Sequence, residues 1–193
     1  MTSAAAALAI KGPKLSWIVA GALFAIASVA IHYEVKIGMH HGAGTVDELG
    51  QVKVREPAPD FTLRDLAGQP VTLSSFRGKK AVLIDFWATW CAPCRTALPG
   101  LQDLTDKFKD RGFEVVTIDQ GESVDQVRSF IERKKYSFSV LLDSDRAVGD
   151  IYGVRGIPTS VLIDKNGVVQ WIAVGNFANE SELPKRVEGL VKE

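Results

Sequence analysis

The chain of 193 residues contains two cysteines, and they lie close together at positions 91 and 94. With two residues between them, both thiols fall within one turn of a helix. Thiol–disulfide exchange needs a thiolate that attacks a disulfide and a second thiol that resolves the mixed disulfide. The pair therefore predicts redox chemistry, with Cys91 as the nucleophile and Cys94 as the resolving thiol.

A cysteine pair can also bind zinc or form a structural disulfide. A zinc site needs four ligands, but the chain has no second cysteine pair, and its three histidines all lie before residue 42. A structural disulfide would close a loop too small to restrict the unfolded chain much. We therefore adopt the redox interpretation.

The residues around the pair predict a strand followed by a helix. Residues 81–86 form a nearly continuous apolar run, typical of a central strand buried on both faces. After Pro93, apolar residues recur at helical spacing until Gly112. Cys91 is then expected at the helix N-cap, where backbone N–H groups and the helix dipole lower the pKa of a thiol. Cys94 is expected one turn into the helix, facing the sheet and shielded from solvent.

A single carboxylate interrupts the apolar run. Asp85 lies in the predicted buried strand, where ionisation is costly, so its pKa should rise. A carboxyl group behind the dithiol can pass a proton as Cys94 is released during exchange. Asp85 is therefore a candidate proton relay.

The rest of the domain alternates strands with helices. Gly68-Gln69-Pro70 joins two short alternating segments in a predicted hairpin, and Ser123 is a candidate N-cap. Further strands are predicted at 113–118, 139–142, 160–163 and 168–174, with helices after Ser123, at 145–152 and near the C-terminus. The pattern predicts an α/β sheet with helices on both faces.

The N-terminal region predicts a membrane anchor. Residues 15–31 carry no charge, and as a helix they would be nearly long enough to cross a bilayer. Lys11 and Lys14 precede them, which favours a cytoplasmic N-terminus. We expect a cytoplasmic N-terminus at 1–14, a transmembrane signal anchor at 15–33, a flexible linker at 34–56 and the folded domain at 57–193. A cleaved signal peptide, with small-x-small sites at 25–27 and 28–30, and an ordinary buried helix are the alternatives.

The composition limits which partners and ligands the sequence predicts. The formal net charge is zero and no long run of one sign occurs, so no nucleic-acid surface is predicted. Met39, His40 and His41 offer soft-metal ligands, but a glycine-rich linker is the preferred interpretation because no further ligand lies nearby. We expect a monomer without bound metal or cofactor, apart from the redox-active cysteine pair.

Two motifs carry a family resemblance. The segment from Asp85 to Cys94, Asp-Phe-Trp-Ala-Thr-Trp-Cys-Ala-Pro-Cys, resembles the active-site segment of thioredoxins. The segment 152–159, Tyr-Gly-Val-Arg-Gly-Ile-Pro-Thr, resembles their second signature. With the hairpin and the helix and strand at 123–142, residues 56–193 resemble the TlpA/ResA-like membrane-tethered thiol-disulfide oxidoreductases. The resemblance implies a thioredoxin fold with an N-terminal β-hairpin and a central helix-strand insertion, preceded by one transmembrane helix.

The resemblance also implies roles for individual residues. Pro158 matches the cis-proline that lies beside the dithiol and helps to dock an extended substrate. The substrate-contacting apolar surface is matched by Trp90, Ala92, Pro93, Ile157 and Gly175. The chain departs from the pattern at two positions. Val115 is matched to the lysine that partners the buried Asp in thioredoxins, and Ala97 to an acidic residue of the TlpA/ResA group.

The sequence thus predicts an extracytoplasmic, membrane-anchored dithiol reductant. Its clients would be disulfide-containing proteins such as apocytochrome c or copper-centre assembly proteins, and a membrane electron donor would re-reduce it. A peroxiredoxin-like peroxidase is one alternative, although the segment before Cys91 lacks the proline of a peroxidatic site. A copper-binding module is another, and the direction of electron flow stays open.

Overall fold

The computed structural model describes residues 48–50, 52–176 and 182–192. Its strands are β1 Glu48–Leu49, β2 Val52–Lys53, β3 Thr62–Asp65, β4 Pro70–Thr72, β5 Ala81–Trp87, β6 Phe113–Gln120, β7 Ser139–Asp143, β8 Thr159–Ile163 and β9 Val169–Val174. Its α-helices are α1 Ala92–Phe108, α2 Val124–Lys134, α3 Ala147–Ile151 and α4 Glu182–Lys192. Short 3-10 helices occupy Leu73–Phe76 and Lys109–Arg111.

Seven of these strands form one mixed sheet. Its order is β4-β3-β7-β6-β5-β8-β9. The strands β5, β6 and β7 run parallel, whereas β8 and β3 run antiparallel to their neighbours β5 and β7. All seven residues of β5 are buried, which confirms the central strand predicted from the apolar run.

Helices cover both faces of the sheet, as the alternating pattern predicts. Apolar residues of α1, α2 and α4 pack on one face in a cluster that includes both cysteines. Residues of α3, the β3–β4 hairpin and β2 pack on the other face, around the buried Tyr152. Asp85 lies two residues from both Leu83 and Trp87, which belong to the first cluster, and residues at this spacing share one face of a strand. The carboxyl group therefore faces the same side of the sheet as Cys94.

Local sequence signals explain the main turns and caps. Strands β3 and β4 pair in an antiparallel hairpin, as predicted. The hydroxyl of Ser123 accepts the backbone N–H of Gln126 and caps α2, which confirms that assignment. The β8–β9 turn contains Asn166-Gly167, and Gly167 adopts a φ of +83°, a conformation that favours glycine. Helix α1 continues through Pro99 and ends before Gly112.

The folded region begins earlier than the sequence predicts. Residues 34–56 were expected to form a flexible linker, but β1 and β2 pair within this range. Val52 is buried, and the N–H of Arg55 donates to the carbonyl of Val169 at 2.8 Å. The burial of Val52 and the backbone hydrogen bond from Arg55 hold this part of the predicted linker against β9.

The predicted membrane anchor and the Met39-His40-His41 cluster lie outside the described residues. Within residues 48–50, 52–176 and 182–192, no helix has the length and apolar character needed to span a membrane. In the same ranges, no group of three or more histidine, cysteine or acidic side chains is arranged to hold a metal ion.

Candidate active site

The redox pair lies where β5 passes into α1. Cys91 and Cys94 form a disulfide, with their Cα atoms 5.3 Å apart. Cys91 is the N-cap residue of α1, and its Sγ accepts a hydrogen bond from the backbone N–H of Cys94 at 3.2 Å. This confirms the predicted placement. An N–H group and a helix N-terminus directed at a sulfur favour its thiolate form after reduction.

The two sulfurs differ in their access to solvent. Cys94 is fully buried, whereas 4% of the surface of Cys91 remains exposed. The residues beside Cys91 are open to solvent: Trp90 is 65% exposed, and Ala92 and Pro93 are exposed as well. An incoming disulfide therefore meets Cys91 first, and Cys94 lies beneath it.

A second loop, which contains Ile157 and Pro158 and precedes β8, lies beside the redox pair. The Ile157–Pro158 peptide bond is cis. The Sγ of Cys91 lies 3.6 Å from the carbonyl oxygen of Ile157. The N–H of Gly175 donates to the carbonyl of Pro158 at 2.8 Å. The structure thus brings together Cys91, Ile157, Pro158 and Gly175, as the resemblance implies.

Val174 lies next to Gly175 at the end of β9, although no sequence motif marks it as part of the site. The residue is 39% exposed. It pairs in register with Thr159, the residue that follows Pro158. The available signal was the alternation of β9, which points Val174 to the opposite side from Ala173. Pairing with β8 then brings this exposed side chain near the second loop.

Asp85 is buried, as predicted, with only 1% of its surface exposed. Its Oδ1 accepts a hydrogen bond from the hydroxyl of Ser160 at 2.5 Å, and its Oδ2 has no hydrogen-bond partner among the described residues. Burial raises the pKa of Asp85 from 3.8 to about 7, against the opposing effect of the Ser160 hydrogen bond. A carboxyl group with this pKa can both accept and release a proton near neutral pH.

The uncharged residues at 115 and 97 lie in the apolar cluster that contains the cysteines. The register of β5 and β6 places Thr117 directly opposite Asp85. Val115 pairs with Leu83 and is buried in the same apolar cluster as the cysteines. Ala97 is also buried in that cluster, so α1 presents no carboxylate there.

The acidic side chain of Glu122, which no sequence motif marks, contacts the loop before Cys91. Thr89 donates its backbone N–H to Oε2 of Glu122 at 2.5 Å and its hydroxyl to Oε1 at 2.6 Å. Glu122 follows β6 and is 8% exposed. Its backbone N–H donates to Oδ1 of Asp119 at 2.9 Å. Burial, together with the adjacent carboxyl group of Glu122, raises the pKa of Asp119 to about 8. No motif pointed to these residues, because 33 positions separate Thr89 from Glu122.

These features define a class of protein. A thioredoxin-like sheet carries a Cys-x-x-Cys pair at a helix N-terminus, with one sulfur at the surface and the other beneath it. Disulfide exchange is the chemistry that this arrangement supports. The protein is a thiol-disulfide oxidoreductase of the thioredoxin superfamily.

Comparisons with known proteins agree with this class. The AhpC/TSA family matches residues 54–172, and the chain belongs to this family. The thiol-disulfide oxidoreductase ResA of Geobacillus kaustophilus is 37% identical over 139 residues, which cover 72% of this chain and 79% of that protein. ResA of Geobacillus thermodenitrificans is 39% identical, with the same coverage.

Solved structures support the fold independently. A candidate thiol:disulfide interchange protein DsbE from Chlorobium tepidum superposes with a TM-score of 0.68 at 33% identity. The match covers 73% of this chain and 99% of the other. The sheet and the redox pair thus belong to a fold already known for disulfide exchange.

Proposed function

We propose that this protein is a membrane-anchored, extracytoplasmic enzyme that reduces disulfides in client proteins. The observation that carries the proposal is the position of Cys91. Its sulfur borders the surface beside Ile157 and Pro158, while Cys94 lies buried one helical turn further on. A client disulfide can therefore reach one sulfur while the second waits beneath it.

The first step forms a mixed disulfide. The reduced Cys91 thiolate, stabilised at the N-terminus of α1, attacks one sulfur of the client disulfide. The client S–S bond breaks, a new bond joins Cys91 to the client, and the other client sulfur leaves as a thiolate. We assign the apolar surface around the pair to client contact; it comprises Trp90, Ala92, Pro93, Ile157 and Gly175.

The second step resolves the mixed disulfide. Cys94 loses its proton to the Asp85 carboxylate, and the resulting thiolate attacks the Sγ of Cys91. The Cys91–Cys94 disulfide forms and the second client thiolate leaves. The client gains two electrons, and the enzyme is left oxidised. A donor in the membrane then returns two electrons to the Cys91–Cys94 pair.

The surroundings of the pair favour a reductant. A dithiol becomes a strong oxidant when its reduced form is stabilised, above all by stabilisation of the attacking thiolate. Here two acidic groups lie close to the segments that hold the pair: buried Asp85 in β5, and Glu122, whose carboxylate contacts Thr89 before Cys91. Negative charge on these groups opposes thiolate formation at Cys91. The reduced pair should therefore give up its electrons readily.

The location and the clients rest on the sequence. The uncharged run at 15–31 with lysines before it supports an anchor that leaves the domain outside the cytoplasm. The TlpA/ResA-like resemblance supports apocytochrome c or copper-centre assembly proteins as clients. Relatives named as ResA thiol-disulfide oxidoreductases are consistent with such a role.

A trapping experiment tests the proposal. The Cys94→Ser variant of the full-length protein cannot resolve a mixed disulfide, so clients should stay bound to Cys91 when membranes are isolated and alkylated. The matched Cys91→Ser variant should retain none, because the buried Cys94 cannot reach a client. Mass spectrometry identifies the proteins retained.

Three results would count against the proposal. The first is that Cys94→Ser traps nothing and the wild-type dithiol also fails to reduce insulin disulfides. The second is stoichiometric Cu(I) binding by a protein without disulfide reductase activity, which would favour the copper-binding alternative. The third is rapid turnover of hydrogen peroxide, which would favour a peroxidase.

A further inference from the structure

The loop between β5 and Cys91 is held at one residue, Thr89. Its backbone N–H and its hydroxyl both donate to the carboxylate of Glu122. The hydroxyl oxygen also accepts from Nε2 of Gln126 at 3.2 Å. Its carbonyl oxygen accepts from Nη1 of Arg95 at 3.2 Å. The N–H, carbonyl and hydroxyl groups of Thr89 therefore all form hydrogen bonds, although the residue is only half-buried.

Glu122 is itself tightly held. Nε2 of Gln126 donates to its Oε1, and its own backbone N–H donates to Asp119. Burial raises the pKa of this Asp119 carboxyl group, whose Oδ1 accepts that N–H. The two carboxylate oxygens of Glu122 thus face donors, and the side chain is fixed before it contacts Thr89.

These contacts come from the inserted part of the fold. Glu122 lies two residues after the end of β6, and Gln126 lies in the first turn of α2, the helix of the helix-strand insertion. The other end of the contact is the segment that carries the exposed Trp90 and the N-cap Cys91. The inserted segment therefore contacts the Thr89–Trp90 loop through two side chains, the carboxylate of Glu122 and the amide of Gln126.

We propose that Glu122 is a positioning residue for disulfide exchange, through which the inserted helix fixes the Thr89–Trp90 loop and the attacking Cys91. The carboxylate receives two donors from one residue, a geometry that fixes both the position and the rotation of the loop. Removing it leaves the N–H of Thr89 with no acceptor in a partly buried position, which is costly. The loop then relaxes toward solvent and carries Trp90 with it.

The inference extends the established oxidoreductase activity and does not depend on the identity of the client. It concerns the chemical step at Cys91, so a small peptide disulfide suffices as substrate. Glu122 does not contact the reacting sulfur atoms. Its effect passes through Thr89, two residues before Cys91.

The first variant to test is Glu122→Gln, whose single amide oxygen can accept only one of the two Thr89 donors in a similar shape. For the reduced protein at 25 °C, we expect the rate constant for mixed-disulfide formation with a peptide disulfide to fall about tenfold, equivalent to ~1.4 kcal/mol. The amide order parameters of Thr89 and Trp90, from ¹⁵N relaxation, should fall from about 0.85 in the wild type to below about 0.6.

Two further variants act on the other side of the contact. Thr89→Val removes the hydroxyl but keeps the Glu122 charge, and it should reproduce the loss of rate. Thr89→Ser keeps the hydroxyl and should stay within about twofold of the wild-type rate, because the hydrogen-bonding groups are unchanged. Agreement between Thr89→Val and Glu122→Gln would assign the effect to the contact rather than to the charge alone.

The matched control is Asp143→Asn, at another buried carboxylate that accepts hydrogen bonds from Gln120, Val148 and Gly149. It should lower the melting temperature while leaving the rate constant and the order parameters at Thr89 and Trp90 unchanged. The proposal is overturned if folded Glu122→Gln and Thr89→Val keep the wild-type rate or the wild-type order parameters. An equal loss of rate in Asp143→Asn would also overturn it.

Discussion

Substitution of the buried Asp85 by asparagine should stabilise the protein at high pH and have no effect on stability at low pH. Asp85 is buried, and its pKa is raised from 3.8 to about 7 in the folded protein. Between these two values the folded state binds a proton that the unfolded state has released. The free energy of unfolding therefore falls as the pH rises through this window. Below about pH 3.8 the carboxyl group is neutral in both states, and its contribution is fully present.

The magnitude follows from the displacement of the pKa. A displacement from 3.8 to about 7 corresponds to ~4 kcal/mol at 1.36 kcal/mol per unit. Asparagine has nearly the same shape, keeps an oxygen for the Ser160 hydroxyl and does not ionise. We expect Asp85→Asn to match the wild type near pH 4 and to exceed its free energy of unfolding by up to ~4 kcal/mol at pH 8.

Urea denaturation of the oxidised proteins at pH 4, 6 and 8 measures this difference directly. The companion variant Ser160→Ala removes the hydrogen bond that lowers the pKa of Asp85, so its loss of stability should extend to higher pH. A difference between Asp85→Asn and wild type that is the same at pH 4 and pH 8 would refute the reasoning. A wild type more stable than the variant at pH 8 would refute it as well.

Three other predictions concern the resolving step and the packing of the fold. Asp85→Asn should slow resolution of the mixed disulfide by about 100-fold at pH 7 in a stopped-flow assay, because the proton acceptor for Cys94 is lost; an unchanged rate would remove Asp85 from the mechanism. Gly149→Ala places a Cβ against Oε1 of Gln120 and should cost ~1–3 kcal/mol in urea denaturation, whereas Gly189→Ala, whose Cβ meets no packed neighbour within 4 Å, should gain ~1 kcal/mol. Ser123→Ala removes the cap of α2 and should cost ~1 kcal/mol in the same assay; an unchanged midpoint would mean that the cap contributes nothing.

Much of the fold was predictable because its signals are local. The strand β5 appears in the sequence as an uninterrupted apolar run, and α1 appears as apolar residues at helical spacing. The turn at Asn166-Gly167 and the cap at Ser123 each need only a few adjacent residues. The redox pair was predictable for the same reason, since its spacing alone places both sulfurs on one helical turn.

The features that could not be predicted from the sequence depend on contacts between residues far apart in the chain. Glu122 reaches Thr89 across 33 residues, and neither belongs to a motif that indicates the contact. The pairing of Asp85 with Thr117 could not be predicted either, because an apolar run does not fix the register between two parallel strands. The ordered hairpin at β1 and β2 was missed because each strand contains only two residues. Its order comes from burial of Val52 and from contacts with β9.

The standard reduction potential of the Cys91–Cys94 pair decides whether this protein reduces or oxidises its clients. It is measured at pH 7 on the full-length protein, by equilibration with a glutathione buffer and alkylation of the free thiols. The buried acids around the pair predict a reducing potential, between about −300 and −200 mV, close to that of thioredoxin. A potential near −120 mV, as in the strong oxidant DsbA, would contradict the proposed direction of electron flow.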